Sequence, residues 1–169
     1  MRAAMHNPRQ AFPAGRVKFE YRPEYLNGTM FCFLPSKRAL AYRALRWENI
    51  PVLDEDDKPT GEVKLELTFA RGYGRMKIWP GLFVENVTQA VAADFLRGTL
   101  VRLESAGYRT RLHTHDEILL EAAPKQAETT AAVLRVFMQR GFSWSTGLPI
   151  MSEETIAYYY TKHEGSHGL

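Results

Sequence analysis

From Leu82 to Ala106 the apolar residues return at intervals of three and four, the clearest periodic pattern in the 169 residues. Val84, Val87, Val91 and Phe95, joined by Ala92, Leu96, Leu100 and Leu103, make the wide apolar face of a long helix that must be buried. Pro80-Gly81 precedes it, and Gly107 is placed to cap its C-terminal end. Whatever this chain folds into is built around that helix. Tyr108 to Glu121 then reads as two short strands about a tight turn at His113–Glu117. Pro124 opens a second helix with Ala127, Ala131, Leu134 and Met138 on one face and Gly141 beyond its end.

The first half has a different rhythm. Val17 to Tyr21 alternates apolar and polar, Thr29 to Leu34 is a short apolar run, and Leu40 to Trp47 suits a further strand. Pro23 and Asn27-Gly28 supply turn chemistry between the first two. Val63, Leu65, Leu67 and Phe69 alternate with Lys64, Glu66 and Thr68, which predicts a half-buried strand. The exposed acidic loop from Leu53 to Gly61 makes a hairpin the simplest arrangement around it. Arg71 to Lys77 is a basic, glycine-containing turn. Strands followed by helix, hairpin and helix give an α+β layout. Residues 1–15 carry Pro8, Pro13 and Gly15 without apolar period and read as a flexible lead-in, leaving 16–169 as a single domain.

Charge is unevenly placed. Through Asn49 nine basic residues face three acidic ones, a balance of +6, so the remainder carries −3 of the total +3. Such an asymmetry suits a phosphate-facing segment, and equally a solvated basic face. A single cysteine, Cys32, excludes disulfides within the chain and Cys-rich zinc sites, and its setting in Met30-Phe31-Cys32-Phe33-Leu34 is that of a core residue. No apolar run is long enough to span a membrane, and no signal-like segment opens the chain, so a cytoplasmic protein is expected.

His115-Asp116-Glu117 is the one dense cluster of metal-ligating or proton-transfer groups. At a hairpin tip a carboxylate can project into a cleft while Leu112, Ile118 and Leu120 anchor the strands. Alone, the triplet is equally a polar turn. His113 and His115, two apart on a strand, could share one ion, but the other histidines (His6, His163 and His167) lie near the termini, which leaves a hydrolase-type site incomplete.

Four stretches together resemble the family A DNA polymerases, in particular their phage-type members. Leu112-His-Thr-His-Asp-Glu-Ile-Leu-Leu-Glu121 resembles motif C, in which a strand leads into His-Asp-Glu and on into an apolar strand. Val84-Glu-Asn-Val-Thr-Gln-Ala-Val-Ala-Ala-Asp94 is similar to the Val-Glu-Asn helix with its later Gln and Ala-rich end. Leu34-Pro-Ser-Lys-Arg-Ala-Leu-Ala-Tyr42 resembles the Leu-Pro-Ser-Gly-Arg stretch after the fingers, and Trp144-Ser-Thr-Gly-Leu-Pro-Ile150 the closing segment. They occur in the family's order and cover about Val17 to Lys162.

The resemblance implies a partial polymerase palm: an antiparallel sheet with a motif C β-hairpin packed against two or more helices. By the same resemblance Asp116 binds the catalytic magnesium ions, His115 lies near the primer terminus, and Glu117 is the adjacent acid. Gln89 then touches the duplex minor groove, whose acceptors are shared between base pairs. Lys37, Arg38, Arg71, Arg75 and Lys77 are the expected contacts to primer-template DNA. Two departures stand out: Leu82 where the relatives often have Lys, and Lys37 where they have Gly. No counterpart of motif A, with its second metal-bridging aspartate, or of the fingers occurs in these residues. One carboxylate cannot hold two magnesium ions against their hydration. The expectation is therefore a palm fragment completed by a second polymerase chain carrying motif A and fingers, in the host cytosol if phage-encoded. The alternatives are a truncated, non-catalytic remnant that binds DNA or protein, and an unrelated binding module.

Overall fold

The computed structural model describes residues 2–160, and the chain divides into two compact units, Met1–Val91 and Ala92–Leu169. The expected flexible lead-in is structured: a short helix α1 (Arg2–His6) is followed by strand β1 (Ala11–Ala14), which pairs with the next strand. Ala4, fully buried, and Met5, packed against the core, tie α1 down, two residues too few to make a periodic pattern.

In the first unit, β1 runs antiparallel to β2 (Val17–Arg22), β2 to β3 (Thr29–Phe33), and β3 to β4 (Ala39–Tyr42). A second antiparallel sheet joins β5 (Arg46–Leu53), β6 (Pro59–Arg71) and β7 (Gly74–Lys77) in that order. The strand expected across Leu40–Trp47 is therefore two. The chain bends at Ala44, whose φ of 49° lies in the left-handed region, and passes from one sheet to the other. Met30, Cys32, Leu34, Tyr42, Leu67, Phe69 and Ile78 form the core, with Leu82 and Ala90 from the start of helix α2 (Pro80–Ser105). Tyr42 sits edge-on to both Phe69 and Phe83, and its hydroxyl accepts from Asn86 at 3.2 Å. Burial also raises the Cys32 thiol to about 11, so it behaves as a core side chain.

The β5–β6 hairpin crosses the acidic loop as expected, with Asp54 Oδ1 accepting the backbone N–H groups of Asp56 and Lys58. Its burial is not the even alternation read from the sequence. Leu67, Thr68 and Phe69 are buried at the base, whereas Val63 and Leu65 stand 65% and 60% exposed toward the tip. The hairpin is longer than the core it rests on.

The second unit holds the rest of α2, strands β8 (Thr110–His113) and β9 (Ile118–Leu120), and helix α3 (Ala127–Gln139), entered through a 3₁₀ turn at Pro124–Gln126. Gly107, with φ 86°, ends α2 and lets the Tyr108 N–H reach back to the Leu103 carbonyl at 3.0 Å. Phe95, Leu96 and Leu103 are buried here, but Val84 and Val101 are exposed, so the inward stripe of α2 is narrower than its apolar pattern. Phe142 and Trp144 stack at 5.4 Å and 8°, Phe95 meets them edge-on, and the Arg102 guanidinium covers Phe142 at 3.6 Å. Arg102 also donates to the carbonyls of Arg140 and Gly141, which closes the chain around that stack.

Candidate functional site

The His-Asp-Glu triplet lies at the tip of a two-stranded antiparallel hairpin. Thr110 pairs with Leu120, Leu112 with Leu119 and His113 with Ile118, and Arg111 is bulged out between them. The bulged Arg111 pairs with Glu121 at 3.0 Å near the open end, and the Glu104 carboxylate on α2 accepts the Thr110 N–H at the base. Residues 114–117 form the turn, closed by the Thr114 N–H donating to the Glu117 carbonyl at 3.1 Å. His115, Asp116 and Glu117 are all exposed.

Their surroundings differ. Asp116 makes no hydrogen bond or ion pair among the described residues, so its carboxylate is open to a ligand. Glu117 is engaged: its Oε2 accepts the Tyr160 hydroxyl at 3.0 Å and lies 3.4 Å from the Thr114 hydroxyl. Among the described residues no three His, Cys, Asp or Glu side chains gather as a metal cluster, which leaves His113 and His115 without a third ligand. One free carboxylate is too small a donor set for two magnesium ions, so these residues alone do not fit that centre.

Gln89 is exposed on α2, its amide 3.3 Å from Glu85, and so faces solvent rather than the core. Lys37 is exposed in the turn from Leu34 to Arg38, with φ 72°. The left-handed backbone there accounts for the glycine expected at this position from the family pattern. Arg38, half-buried, donates to the Ala90 carbonyl at 2.9 Å. Arg71 is exposed, and among the described residues its close partner is the Met76 sulfur, at 3.0 Å. Lys77 is paired with Glu66 at 2.7 Å.

Arg75 has an internal role that its place in a basic turn does not suggest. Its guanidinium donates to the Ala44 carbonyl at 2.7 Å, to the Thr68 carbonyl and hydroxyl, and to Glu48 at 2.7 Å. It therefore clamps the bend between the two sheets. The Thr68 hydroxyl donates to Glu48 too, and that bond, with help from Arg46 and Arg75, brings the Glu48 carboxyl down to about 2 against a partial desolvation cost.

The chain is 38% identical over 141 residues to the DNA polymerase of Bacillus phage SP02, an alignment covering 82% of this chain and 20% of that protein. This chain is related to a phage DNA polymerase. It spans about a fifth of that polymerase's length. No family model matches the chain, and no solved structure matches it. Against the phage polymerase relationship, the contact that sequence reading missed altogether is Tyr160 on Glu117. The two are 43 residues apart, and the only signal was a run of three tyrosines.

Proposed function

We propose that this chain is the C-terminal palm segment of a family A DNA-directed DNA polymerase, with Asp116 as a metal-binding carboxylate. The observation that carries the reading is the free Asp116 carboxylate at the tip of a β-hairpin directly after a long helix, in a chain related to a phage DNA polymerase. In this reading His115 lies beside the primer terminus and Glu117 shapes the turn. Gln89, exposed on α2, reads minor-groove acceptors shared by all base pairs. Lys37 and Arg71, both exposed, contact DNA phosphates, whereas Arg38, Arg75 and Lys77 act mainly through the structure they brace.

The second bridging carboxylate and the nucleotide-binding fingers come from protein outside these 169 residues. Magnesium then belongs to the completed assembly, to which Asp116 contributes one ligand. The test mixes this chain with a candidate partner bearing an aspartate motif and fingers and follows primer extension. Extension is expected in the mixture, absent from this chain alone, and lost with Asp116→Asn, which keeps shape while removing charge. A mutant mixture with full activity overturns the role of Asp116 and favours a non-catalytic remnant.

A further inference from the structure

We infer that Tyr160 is a positioning residue for the His115–Asp116 turn. The segment leading to it is fastened to α3 twice before it reaches the hairpin. Gln139 Nε2 donates to the Ser152 carbonyl at 3.3 Å, and Arg135 pairs with Glu154 at 3.0 Å. From there the chain arrives at the tip, where the Tyr160 hydroxyl donates to Glu117 Oε2 at 3.0 Å. Its neighbours Tyr158 and Tyr159 stand 98% and 75% exposed, so of the three tyrosines Tyr160 alone is turned to this bond.

The consequence is local and chemical. A four-residue turn closed by one backbone hydrogen bond leaves Asp116 free to sample several directions. Glu117 adjoins Asp116, and its side chain is held from both sides, by Tyr160 and by the Thr114 hydroxyl at the other end of the turn. Fixing Glu117 narrows the directions open to Asp116 without occupying the Asp116 carboxylate. The hydrogen bond to the Glu117 carboxylate also disfavours loss of the phenol proton, which reinforces the protonated, donating form that a tyrosine already has at neutral pH. Glu117 is thereby assigned to holding the turn, and Asp116 to meeting a ligand. The link from turn to ligand rests on the polymerase reading; the Tyr160–Glu117 bond does not.

The experiment has two arms. In the first, amide exchange at residues 114–118 of the chain is compared across variants. Tyr160→Phe and Glu117→Ala are expected to speed exchange by about 2- to 10-fold, the worth of one net hydrogen bond. Their double variant should be no faster than either alone, and Glu117→Gln, which still accepts a hydrogen bond, should stay near the parent rate. In tyrosine-labelled protein, the resonance lost in Tyr160→Phe should titrate at lower pH once Glu117 is Gln. Unchanged exchange in Tyr160→Phe, or a tyrosine titration indifferent to Glu117→Gln, overturns the inference. In the second arm, Tyr160→Phe in the completed mixture should raise the magnesium concentration for half-maximal extension while leaving the KM for nucleotide unchanged. The opposite split refutes positioning. A mixture inactive with every variant, alongside a clear exchange effect, sinks the polymerase reading and leaves the tie standing.

Discussion

Gly98 offers a direct trial of the packing in the second unit. In the interior of an unencumbered helix, Gly→Ala is stabilising by about 1 kcal/mol. At Gly98 the added Cβ would meet the Phe142 ring at 2.4, 2.8 and 3.2 Å, whereas carbon atoms settle about 3.5–4.0 Å apart, so the ring must move by about 1 Å. That ring is held on three sides: parallel to Trp144 at 5.4 Å, edge-on to Phe95 at 5.2 Å, and under Arg102 at 3.6 Å. Two aromatic pairs at about 0.5–1.5 kcal/mol each and one partly exposed cation–π contact at about 0.5–1 kcal/mol place the loss at about 1.5–4 kcal/mol. Set against the helix gain of about 1 kcal/mol, Gly98→Ala should destabilise by about 0.5–3 kcal/mol. Urea unfolding followed by circular dichroism reads this as a lower midpoint at an unchanged slope. Repeated in a Phe142→Ala background, where no ring is struck, the same substitution should become stabilising. A higher midpoint for Gly98→Ala in the otherwise unaltered chain would refute the stack as described.

Two further outcomes follow from particular residues. Lys37→Gly relieves a left-handed backbone at an exposed turn and should raise stability by about 0.5–1 kcal/mol, read as a higher urea midpoint; a lower one contradicts the turn geometry. Glu48 holds its proton less tightly in the folded chain, at about 2, than an ordinary glutamate does. Its contribution is therefore present above the ordinary carboxylate range and is lost as pH falls toward 2. Unfolding midpoints measured from pH 6 downward should fall less steeply in Glu48→Gln than in the parent, and parallel curves would show that the Thr68, Arg46 and Arg75 bonds do not hold the carboxylate.

The sequence is most readable where one face of an element meets one core. The helix expected over Leu82–Ala106 is α2, Pro80–Ser105, and the turn at His113–Glu117 closes β8 on β9 with its acids outward. Those features are set by neighbours in sequence: apolar spacing, a glycine cap, a short pair of strands. What stayed hidden depends on distant partners. Nothing near Arg75 announces that it binds Ala44, 31 residues away, and nothing near Ala44 announces the bend that splits one expected strand into β4 and β5. Val63 and Leu65 read as inward residues because alternation specifies a face but not whether anything covers it. For the hairpin tip, residue types identified Asp116 as the group of interest, while its contrast with Glu117 became visible only through Tyr160.

Cys32 gives the molecule a built-in clock. It is the one thiol in 169 residues, fully buried in the middle strand region of the first sheet, with Leu40 across from it on β4. A water-soluble thiol reagent can reach it only during excursions in which that sheet parts, so the labelling rate counts openings of Met1–Val91 alone. Circular dichroism, by contrast, averages over both units. A labelling free energy below that from circular dichroism marks a partial opening of the first sheet, and only transitions that fail to coincide by the two probes would require more than one transition in the treatment of any variant.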